Sequence, residues 1–366
     1  MDIIVKFAHY YIFYHTLSIS VPRSIKKISR LESIMAGEKR ISISDVAKAV
    51  GVSITTVSFI LNGKAKERRI SEAVNRRVLD YVKQVGYKPS RSIRKAGGKA
   101  KVLAFLSENI ADPFFSEVGR HIETLAAELG YQVLYCDTRN DVNRANQYIQ
   151  LCIEKEIEGL IVVPPENFEK TAEKMKQRIP MVMFDRYLPT VETSYVVSDN
   201  RTGAYNATKY LLEQGNKRIG LVSLYSSHTH IRGRLDGYME AMDEFRMQSF
   251  IRKLSADSPA AETAIQIAEF LVDNKLDAVL FATHCLAVDG LSGIREKDIV
   301  MPRIVTFDDH VLFNHYRPAI SAVVQDVEQL AKKLLETLAA EIKGKPEAIS
   351  KIVVPCKLEV RESLIF

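Results

Sequence analysis

Residues 41–63 read ISISDVAKAVGVSITTVSFILNG, and this stretch predicts two short helices that meet at a tight turn. Apolar residues recur at helical spacing over Asp45–Val50, which predicts the first helix. Gly51 follows, and a glycine supplies the left-handed backbone geometry that commonly ends a helix. Ser53 then offers a side-chain cap for a second helix over Ile54–Leu61. The pattern therefore predicts a helix-turn-helix.

The second helix has one face for the core and one face for a partner. We expect the core face to pack on the first helix through Val57, Ile60 and Leu61. The opposite side carries Ile54, Thr55, Ser58 and Phe59. A helix-turn-helix places this exposed side in the DNA major groove, where Ile54 and Thr55 would meet base edges. A generic helical hairpin is the alternative for the same pattern.

Two features of the flanking sequence favour DNA binding. A third helix is predicted over Ser71–Val85, capped by Ser71 and ended by Gly86, so that three helices can share one core. Residues 37–100 hold fifteen Lys and Arg against five Asp and Glu, a local charge of about +10, whereas the whole chain carries +6. The positive charge is therefore concentrated in this small module.

The segments DVAKAVGVSITTVSFILNG and ISEAVNRRVLDYVKQVGYKPS resemble the DNA-binding headpiece of the LacI/GalR family of bacterial transcriptional regulators. The usual family form is DVAxxAGVSxxTVSRVLNG, followed by a third helix and GYxPN. The resemblance implies a three-helix headpiece over residues 37–86, a hinge linker over residues 87–100 and a dimer on double-stranded operator DNA. The residues expected at the DNA are Ser53, Ile54, Thr55, Thr56, Ser58, Phe59, Asn62, Tyr87, Arg91, Arg94 and Lys95.

Two departures from the family pattern bear on DNA recognition. Phe59 stands where the family usually has an arginine, a side chain that can donate hydrogen bonds to guanine. The phenylalanine ring instead either contacts a thymine methyl group or packs against the third helix. In the hinge, Ala96 takes the place of the leucine that the family inserts into the minor groove, unless a shifted pairing lets Ile93 serve. Gly97 and Gly98 weaken a hinge helix further, whereas the basic residues of the linker suit phosphate contacts.

Residues 1–36 precede the headpiece as an N-terminal extension. Lys6, His9 and His15 interrupt an apolar run there, and no small-residue cleavage pattern is convincing, which argues against a signal or membrane segment. Met35 stands directly before the headpiece, where members of the family normally begin. We therefore expect either an over-long gene reading upstream of Met35 or a disordered or loosely helical tail.

From Lys101 onward, short apolar runs alternate with amphipathic segments, a pattern typical of parallel sheets covered by helices on both faces. The runs are VLAFL, QVLYC, GLIVV, MVMF and YVV, then IGLVS, AVLF and IVTF. The predicted fold class is therefore α/β with doubly wound parallel sheets, and the family resemblance adds a two-lobed periplasmic-binding-protein-like domain over residues 101–366. We expect the first lobe to comprise residues 101–216 and 323–345, and the second lobe residues 217–322 and 346–366.

Ligands of such sheets bind beyond the carboxyl ends of the strands, so strand-end residues are the candidate effector contacts. DPFF, RLDGYMEAM and IVTFDDH match the family segments xDPFF, RxxGFxxAL and xxGFDD. The resemblance implies that Arg234 donates to polar groups of the ligand and that Asp308 accepts from its hydroxyls. We expect these two residues to stand on opposite walls of the cleft. The full set of expected contacts is Asp112, Phe114, Phe115, Arg234, His284 and Asp308.

Some of these assignments have alternatives. Phe114 and Phe115 either line the pocket or serve as core staples for the following helix. His284 and Cys285 replace the Asn-Asp pair that is frequent in the family, so the effector chemistry should differ from that of typical sugar-responsive relatives.

The sequence predicts no catalytic, metal or cofactor site. Asp308 and Asp309 are adjacent on an extended strand, so their side chains should point to opposite faces rather than share one site. Four widely scattered cysteines argue against a disulfide framework or a metal cluster and suit a reducing cytoplasm. No apolar run is long enough to span a membrane.

The sequence thus indicates a cytoplasmic transcriptional regulator, by family habit a repressor, that acts as a homodimer or a tetramer. Its small-molecule effector is expected to be a sugar or a sugar derivative, with a nucleobase second. The competing class is a small-molecule-binding protein or an enzyme built on the same α/β domain. The presence of a DNA-binding headpiece makes that interpretation unnecessary.

Overall fold

The structure is a computed structural model, which describes residues 43–61, 63, 65, 67–85, 101–344 and 348–361. The chain divides into two compact units with the boundary between residues 98 and 99. The expected DNA contacts at Asn62, Tyr87, Arg91, Arg94 and Lys95 lie outside the described residues and stay predictions. The same holds for the hinge wedge and for the N-terminal extension.

Three helices form the described part of the first unit. They are α1 (Ile43–Val50), α2 (Ile54–Leu61) and α3 (Glu72–Gln84). Gly51 has a φ of +69°, the left-handed conformation expected at the end of α1. Ser53 Oγ accepts a hydrogen bond from the Thr56 amide at 3.0 Å and so caps α2. The core of the unit consists of Val46, Ala47, Val50, Val57, Ile60 and Val78. The predicted helix-turn-helix region is confirmed.

The second unit is built from two sheets with helices on their faces. Its first sheet contains β1 (Lys101–Ser107), β2 (Tyr131–Asp137), β3 (Gly159–Val162), β4 (Met181–Phe184), β5 (Tyr195–Ser198) and β11 (Lys351–Val354). Its second sheet contains β6 (Ile219–Leu224), β7 (Phe250–Leu254), β8 (Ala278–Phe281), β9 (Arg303–Phe307), β10 (Ser321–Gln325) and β12 (Cys356–Glu359).

The helices of the second unit follow the strands in alternation. They are α4 (Pro113–Glu128), α5 (Val142–Glu154), α6 (Glu169–Met175), α7 (Asn200–Glu213), α8 (Thr229–Glu244), α9 (Ala260–Asp273), α10 (His284–Glu296) and α11 (Val327–Ile342), with a 3₁₀ turn over Val311–His315. The strand orders are β11-β5-β4-β3-β1-β2 and β12-β10-β9-β8-β6-β7. Every described pairing is parallel except that of β12 with β10. The predicted α/β class and its parallel sheets are confirmed.

The lobe boundaries differ from the expected ones. The chain passes between the sheets at Asp199, Asp326 and Pro355, so the first lobe comprises residues 101–198, 327–344 and 348–354 and the second residues 200–325 and 356–361. The expected boundary at residue 216 is one helix too late. Helix α7 packs on α8 of the second lobe so closely that an added Cβ at Gly237 would lie 2.1 Å from the Arg201 carbonyl oxygen.

Strands β7, β10, β11 and β12 are not among the predicted apolar runs. β7 lies at the edge of its sheet and includes charged residues, and β11 and β12 are four-residue edge strands in which only Val354 is buried. β10 (Ser321–Gln325) is an inner strand, but its run of apolar residues is only three residues long. Edge strands bury fewer side chains, so their hydrophobic signal is weaker.

Across the described ranges, no single helix has both the length and the apolar character needed to cross a membrane. One strongly bent pair, Ser44–Val50 with Ile54–Leu61, reaches those thresholds only when its two helices are taken together. These are the two helices of the helix-turn-helix, and part of their apolar surface forms the small core described above.

Candidate functional site

A cavity of about 380 Å³ lies between the two lobes of the second unit. Most of its lining comes from residues at or just beyond the carboxyl ends of strands in both sheets. This is the position where open parallel sheets bind ligands. All six residues expected at the effector line this cavity, namely Asp112, Phe114, Phe115, Arg234, His284 and Asp308.

Arg234 extends from α8 and is only 2% exposed. Its Nε donates to Asn200 Oδ1 at 2.9 Å, and its Nη1 donates to the Ala282 carbonyl oxygen at 2.6 Å. Nη1 also lies 3.4 Å from Asp308 Oδ2, and the guanidinium stacks on the Phe307 ring at 3.7 Å. Nη2 has no hydrogen-bond partner among the described residues. The guanidinium is therefore held rigidly while one nitrogen stays available to a ligand.

Arg234 and Asp308 do not stand on opposite walls, which corrects the sequence-based expectation. Both belong to the second lobe and form an ion pair there. The expectation fails because a strand end and a helix that are remote in sequence meet at one edge of the second sheet.

Asp308 and Asp309 have separate partners, as expected from their adjacency. Asp308 lies close to Arg234, and its Oδ1 accepts a hydrogen bond from the Gln325 amide. Asp309 accepts two hydrogen bonds from Arg361, at 2.9 and 2.7 Å. The two carboxylates therefore do not form an acid–base pair.

The first lobe contributes a buried arginine that the sequence-based site list lacks. Arg186 is 2% exposed, and its Nε donates to the Pro164 carbonyl oxygen at 2.8 Å. Its Nη1 pairs with Glu108, and its Nη2 donates to Asn140 Oδ1 at 2.9 Å. The segment DRYLP matches the family landmark DRxxP, and that match is the sequence signal that points to Arg186.

Three titratable groups around the arginines have shifted pKa values. Burial raises the pKa of Asp185 to about 7, although the charges of Arg186 and Arg234 oppose that rise. Burial lowers the pKa of His228 to about 3 and the pKa of His230 well below its usual value. Both histidines are therefore neutral near pH 7. They follow β6 in the sequence HTH and are also absent from the sequence-based site list.

Residues at the start of α4 contribute both to the core of the first lobe and to the lining of the cavity. Phe115 is 8% exposed and belongs to the core of the first lobe, whereas Phe114 is half-buried and stacks on Phe184 at 5.7 Å. Asp112 caps α4 by accepting from the Phe114 amide at 2.9 Å. Its second carboxylate oxygen lies 3.7 Å from His284 Nε2 on the other lobe. Asp112 and His284 thus bring the two lobes close together at the cavity.

In the first unit, the expected DNA-reading side of α2 is accessible. Ile54 is 49% exposed, Thr55 is exposed and Ser58 is half-buried. Phe59 is half-buried, and the Arg68 guanidinium covers its ring at 4.7 Å from the ring centre. Phe59 thus has a cationic neighbour from the connection between α2 and α3, and a ring covered in this way is partly withdrawn from a DNA base.

The fold and the cavity define a ligand-binding domain joined to a helix-turn-helix module. Residues 103–346 match the family described as "Periplasmic binding protein domain", and residues 42–90 match "Bacterial regulatory proteins, lacI family". The chain belongs to the LacI family of bacterial transcriptional regulators. Members of this family are transcription factors rather than enzymes, in agreement with the predicted class.

Similar proteins span nearly the whole chain. The ribose operon repressor of Halalkalibacterium halodurans is 30% identical over 328 residues, which cover 88% of this chain and 96% of that protein. A solved CelR–cellobiose complex is 24% identical with a TM-score of 0.65, over 88% of this chain and 100% of that one. The lac repressor dimer bound to operator and the anti-inducer ONPF is 20% identical with a TM-score of 0.66, over 90% and 100%. The two structures support the fold alone.

Proposed function

We propose that this protein is a repressor that binds a pseudo-palindromic operator as a homodimer in the cytoplasm. We further propose that a small polyhydroxylated effector in the interlobe cavity controls that binding. The cavity at the strand ends, with its fixed guanidiniums and carboxylates, is the observation that carries the proposal. The relatives named above include two repressors, and one of them is a dimer on its operator.

Dimeric binding follows from the size of the reading surface. One α2 helix presents only a few side chains to bases, which is too little for useful discrimination among genomic sites. Two headpieces on two half-sites double the contacts and impose two-fold symmetry on the operator. An effector that closes the lobes would change operator affinity, and by linkage the operator would change effector affinity by the same factor.

The charge of the cavity narrows the effector class. Six carboxyl side chains line the cavity, from Glu108, Asp112, Glu166, Asp185, Asp289 and Asp308. The lining contains two guanidiniums, and each already has a carboxylate neighbour. A phosphate or carboxylate on the ligand would therefore face an excess of negative charge. We infer a neutral or cationic polyhydroxylated effector, such as an unphosphorylated sugar or an amino sugar.

A matched ligand panel tests this proposal. Thermal unfolding of the full chain should shift upward with a neutral sugar or an amino sugar, because a ligand that binds only the folded state stabilises it. The phosphorylated form of the same sugar should give a smaller shift, and nucleobases should give none. Any positive ligand should then change operator affinity in a gel-shift titration. A panel in which only phosphorylated sugars or nucleobases bind would contradict the proposed effector class.

A further inference from the structure

Three side chains with metal-binding donor atoms meet in the cavity, apart from the two arginine networks. Asp112 comes from the first lobe, while His284 and Cys285 begin α10 of the second lobe. His284 Nε2 lies 3.7 Å from Asp112 Oδ2 and 3.4 Å from Cys285 Sγ. All three donor atoms lie within 4.8 Å of one another.

Direct contacts among these three side chains satisfy their hydrogen-bonding capacity poorly. The 3.7 Å separation of His284 from Asp112 is too long for a hydrogen bond. If the Cys285 thiol donates to Nε2, that nitrogen presents a lone pair and cannot also donate to the carboxylate. If Nε2 carries a proton, it can serve one neighbour well but not both. A cation among the three atoms would accept a lone pair from each of them.

The spacing fits one coordination sphere. In a tetrahedral zinc site with bonds of about 2.0–2.3 Å, neighbouring donor atoms are about 3.3–3.8 Å apart. The separations of 3.4 and 3.7 Å from His284 Nε2 fall within that range. Small rotations of Asp112 and Cys285 would bring their own separation, now at most 4.8 Å, into the range as well.

The surroundings hold two of the donors in place and favour positive charge. The Phe114 amide donates to Asp112 Oδ1 at 2.9 Å, which leaves Oδ2 near His284. The His284 ring stacks on the His310 ring, with 5.8 Å between the ring centres and 8° between the ring planes. The carboxyl groups of Asp289 and Asp308 line the same cavity and add negative charge.

We propose that Asp112, His284 and Cys285 form a three-ligand site for a divalent transition metal such as Zn²⁺, with a fourth position open to the cavity. Nitrogen, sulfur and oxygen donors suit Zn²⁺ and Co²⁺, whereas Mg²⁺ and Ca²⁺ prefer oxygen alone. The bound metal joins the lobes, because its ligands come from both. The site is defined by three side chains of the protein, so it does not rest on the proposed operator or effector.

Cobalt spectroscopy on the full, metal-free chain tests the site without DNA or effector. Co²⁺ should bind at about one equivalent, with thiolate-to-cobalt absorption and the strong visible bands of a tetrahedral ion. Zn²⁺ should displace it, and Mg²⁺ should not. Binding without thiolate absorption, or no binding at all, would overturn the proposal.

Two cysteine variants give a matched comparison. Cys285→Ser should remove the thiolate absorption and weaken Co²⁺ binding at least about tenfold, the lower end of the loss seen for outer-shell changes at metal sites. Cys356→Ser should leave both unchanged, since Cys356 lies on β12 and does not line the cavity. Persistent thiolate absorption in Cys285→Ser, or its loss in Cys356→Ser, would place the thiolate ligand elsewhere and refute the site.

Alkylation of the unaltered protein provides a second measurement that does not depend on how the variants fold. Cys285 is exposed and should react with a maleimide, whereas Cys136 and Cys152 are buried. Zn²⁺ should slow modification of Cys285 at least about tenfold, because a metal-bound thiolate is a poor nucleophile. Asp112→Asn should weaken that protection, because it removes the ligand that the first lobe supplies. Equal modification rates with and without Zn²⁺ would contradict the proposal.

Discussion

The two walls of the cleft present one buried arginine each, and the two arginines are held in closely similar ways. Arg186 on the first lobe and Arg234 on the second are both 2% exposed. Each donates to a backbone carbonyl oxygen and to an asparagine Oδ1, and each pairs with a carboxylate. All of these partners belong to the same lobe as the arginine. Each wall is therefore preorganised on its own.

The walls differ in how they connect to the crossing segments. On the second wall, Asp308 accepts from Gln325, and Gln325 accepts from Ser198 at the end of the first sheet. Asp185, at the matching strand end of the first wall, lies near Arg186 and near His230 of the other lobe. Asp185 and Asp308 both have left-handed backbone conformations, with φ of 65° and 71°. The second wall is therefore linked by hydrogen bonds to a segment that crosses between the lobes, whereas the strand-end carboxyl group of the first wall faces the other lobe directly.

Removal of either arginine should have the largest effect. Arg234→Met and Arg186→Met each remove a buried guanidinium and leave a partly buried carboxylate, Asp308 or Glu108, without that partner, so each should lower the free energy of unfolding by about 2 kcal/mol. Urea unfolding of the full chain measures this loss. Arg201→Met is the control, because the Arg201–Glu240 pair is exposed and should contribute less than about 1 kcal/mol. If one of the two arginine substitutions left the free energy of unfolding unchanged, the two walls would not be held in the same way.

The two strand-end carboxyl groups should differ in ligand binding. Asparagine tolerates the left-handed conformation, so Asp308→Asn and Asp185→Asn change charge with little backbone strain. We expect Asp308→Asn to weaken effector binding by about 1–3 kcal/mol, since a hydroxyl of the ligand loses an ionised acceptor. Asp185→Asn should weaken effector binding much less near neutral pH, because a pKa of about 7 leaves much of Asp185 uncharged already. Calorimetry with the positive ligand of the panel measures both, and equal losses would contradict the assignment.

Asp185 and His228 should give opposite slopes of stability with pH. Asp185 has a folded pKa of about 7 against an ordinary value of 3.8, so its contribution falls as pH rises between those values. His228 has a pKa of about 3 in the folded protein against an ordinary value of 6.5. Its contribution to the free energy of unfolding is therefore full above pH 6.5 and is lost as the pH falls toward 3.

Asp185→Asn should therefore gain stability relative to the unaltered protein as pH rises toward 7. His228→Asn should gain relative stability as pH falls below 6.5. Unfolding measured at several pH values gives both curves. Parallel curves for the two variants would show that these groups do not titrate as their burial implies.

Local sequence determined the first unit well. The glycine end of α1, the Ser53 cap and the buried Val57 and Ile60 all depend on residues within a few positions of one another. α1 begins at Ile43 instead of Asp45, because a helix end is the least constrained part of such a pattern. The family resemblance, together with the rule that ligands bind at strand ends, pointed to six residues that all line one cavity.

The sequence did not predict features that depend on residues far apart in the chain. The same alternation of strand and helix continues through Asp199, so nothing in the periodicity marks the passage to the second lobe. For the same reason Arg234 and Asp308 could not be assigned to one wall. Arg186, His228 and His230 were missed because their environment comes from other strands, as with the Glu108 and Asn140 partners of Arg186.

On the proposed function, a dimer reads a two-fold operator through α2 under control of the cleft. Selection of bound sequences from a random double-stranded DNA library, with and without effector, tests it most directly. The full chain should enrich two inverted half-sites, the effector should change their recovery, and Thr55→Ala, at an exposed position, should reduce enrichment without unfolding the protein. Enrichment of an asymmetric single site, or of the same site by Thr55→Ala with unchanged strength and effector response, would contradict the account.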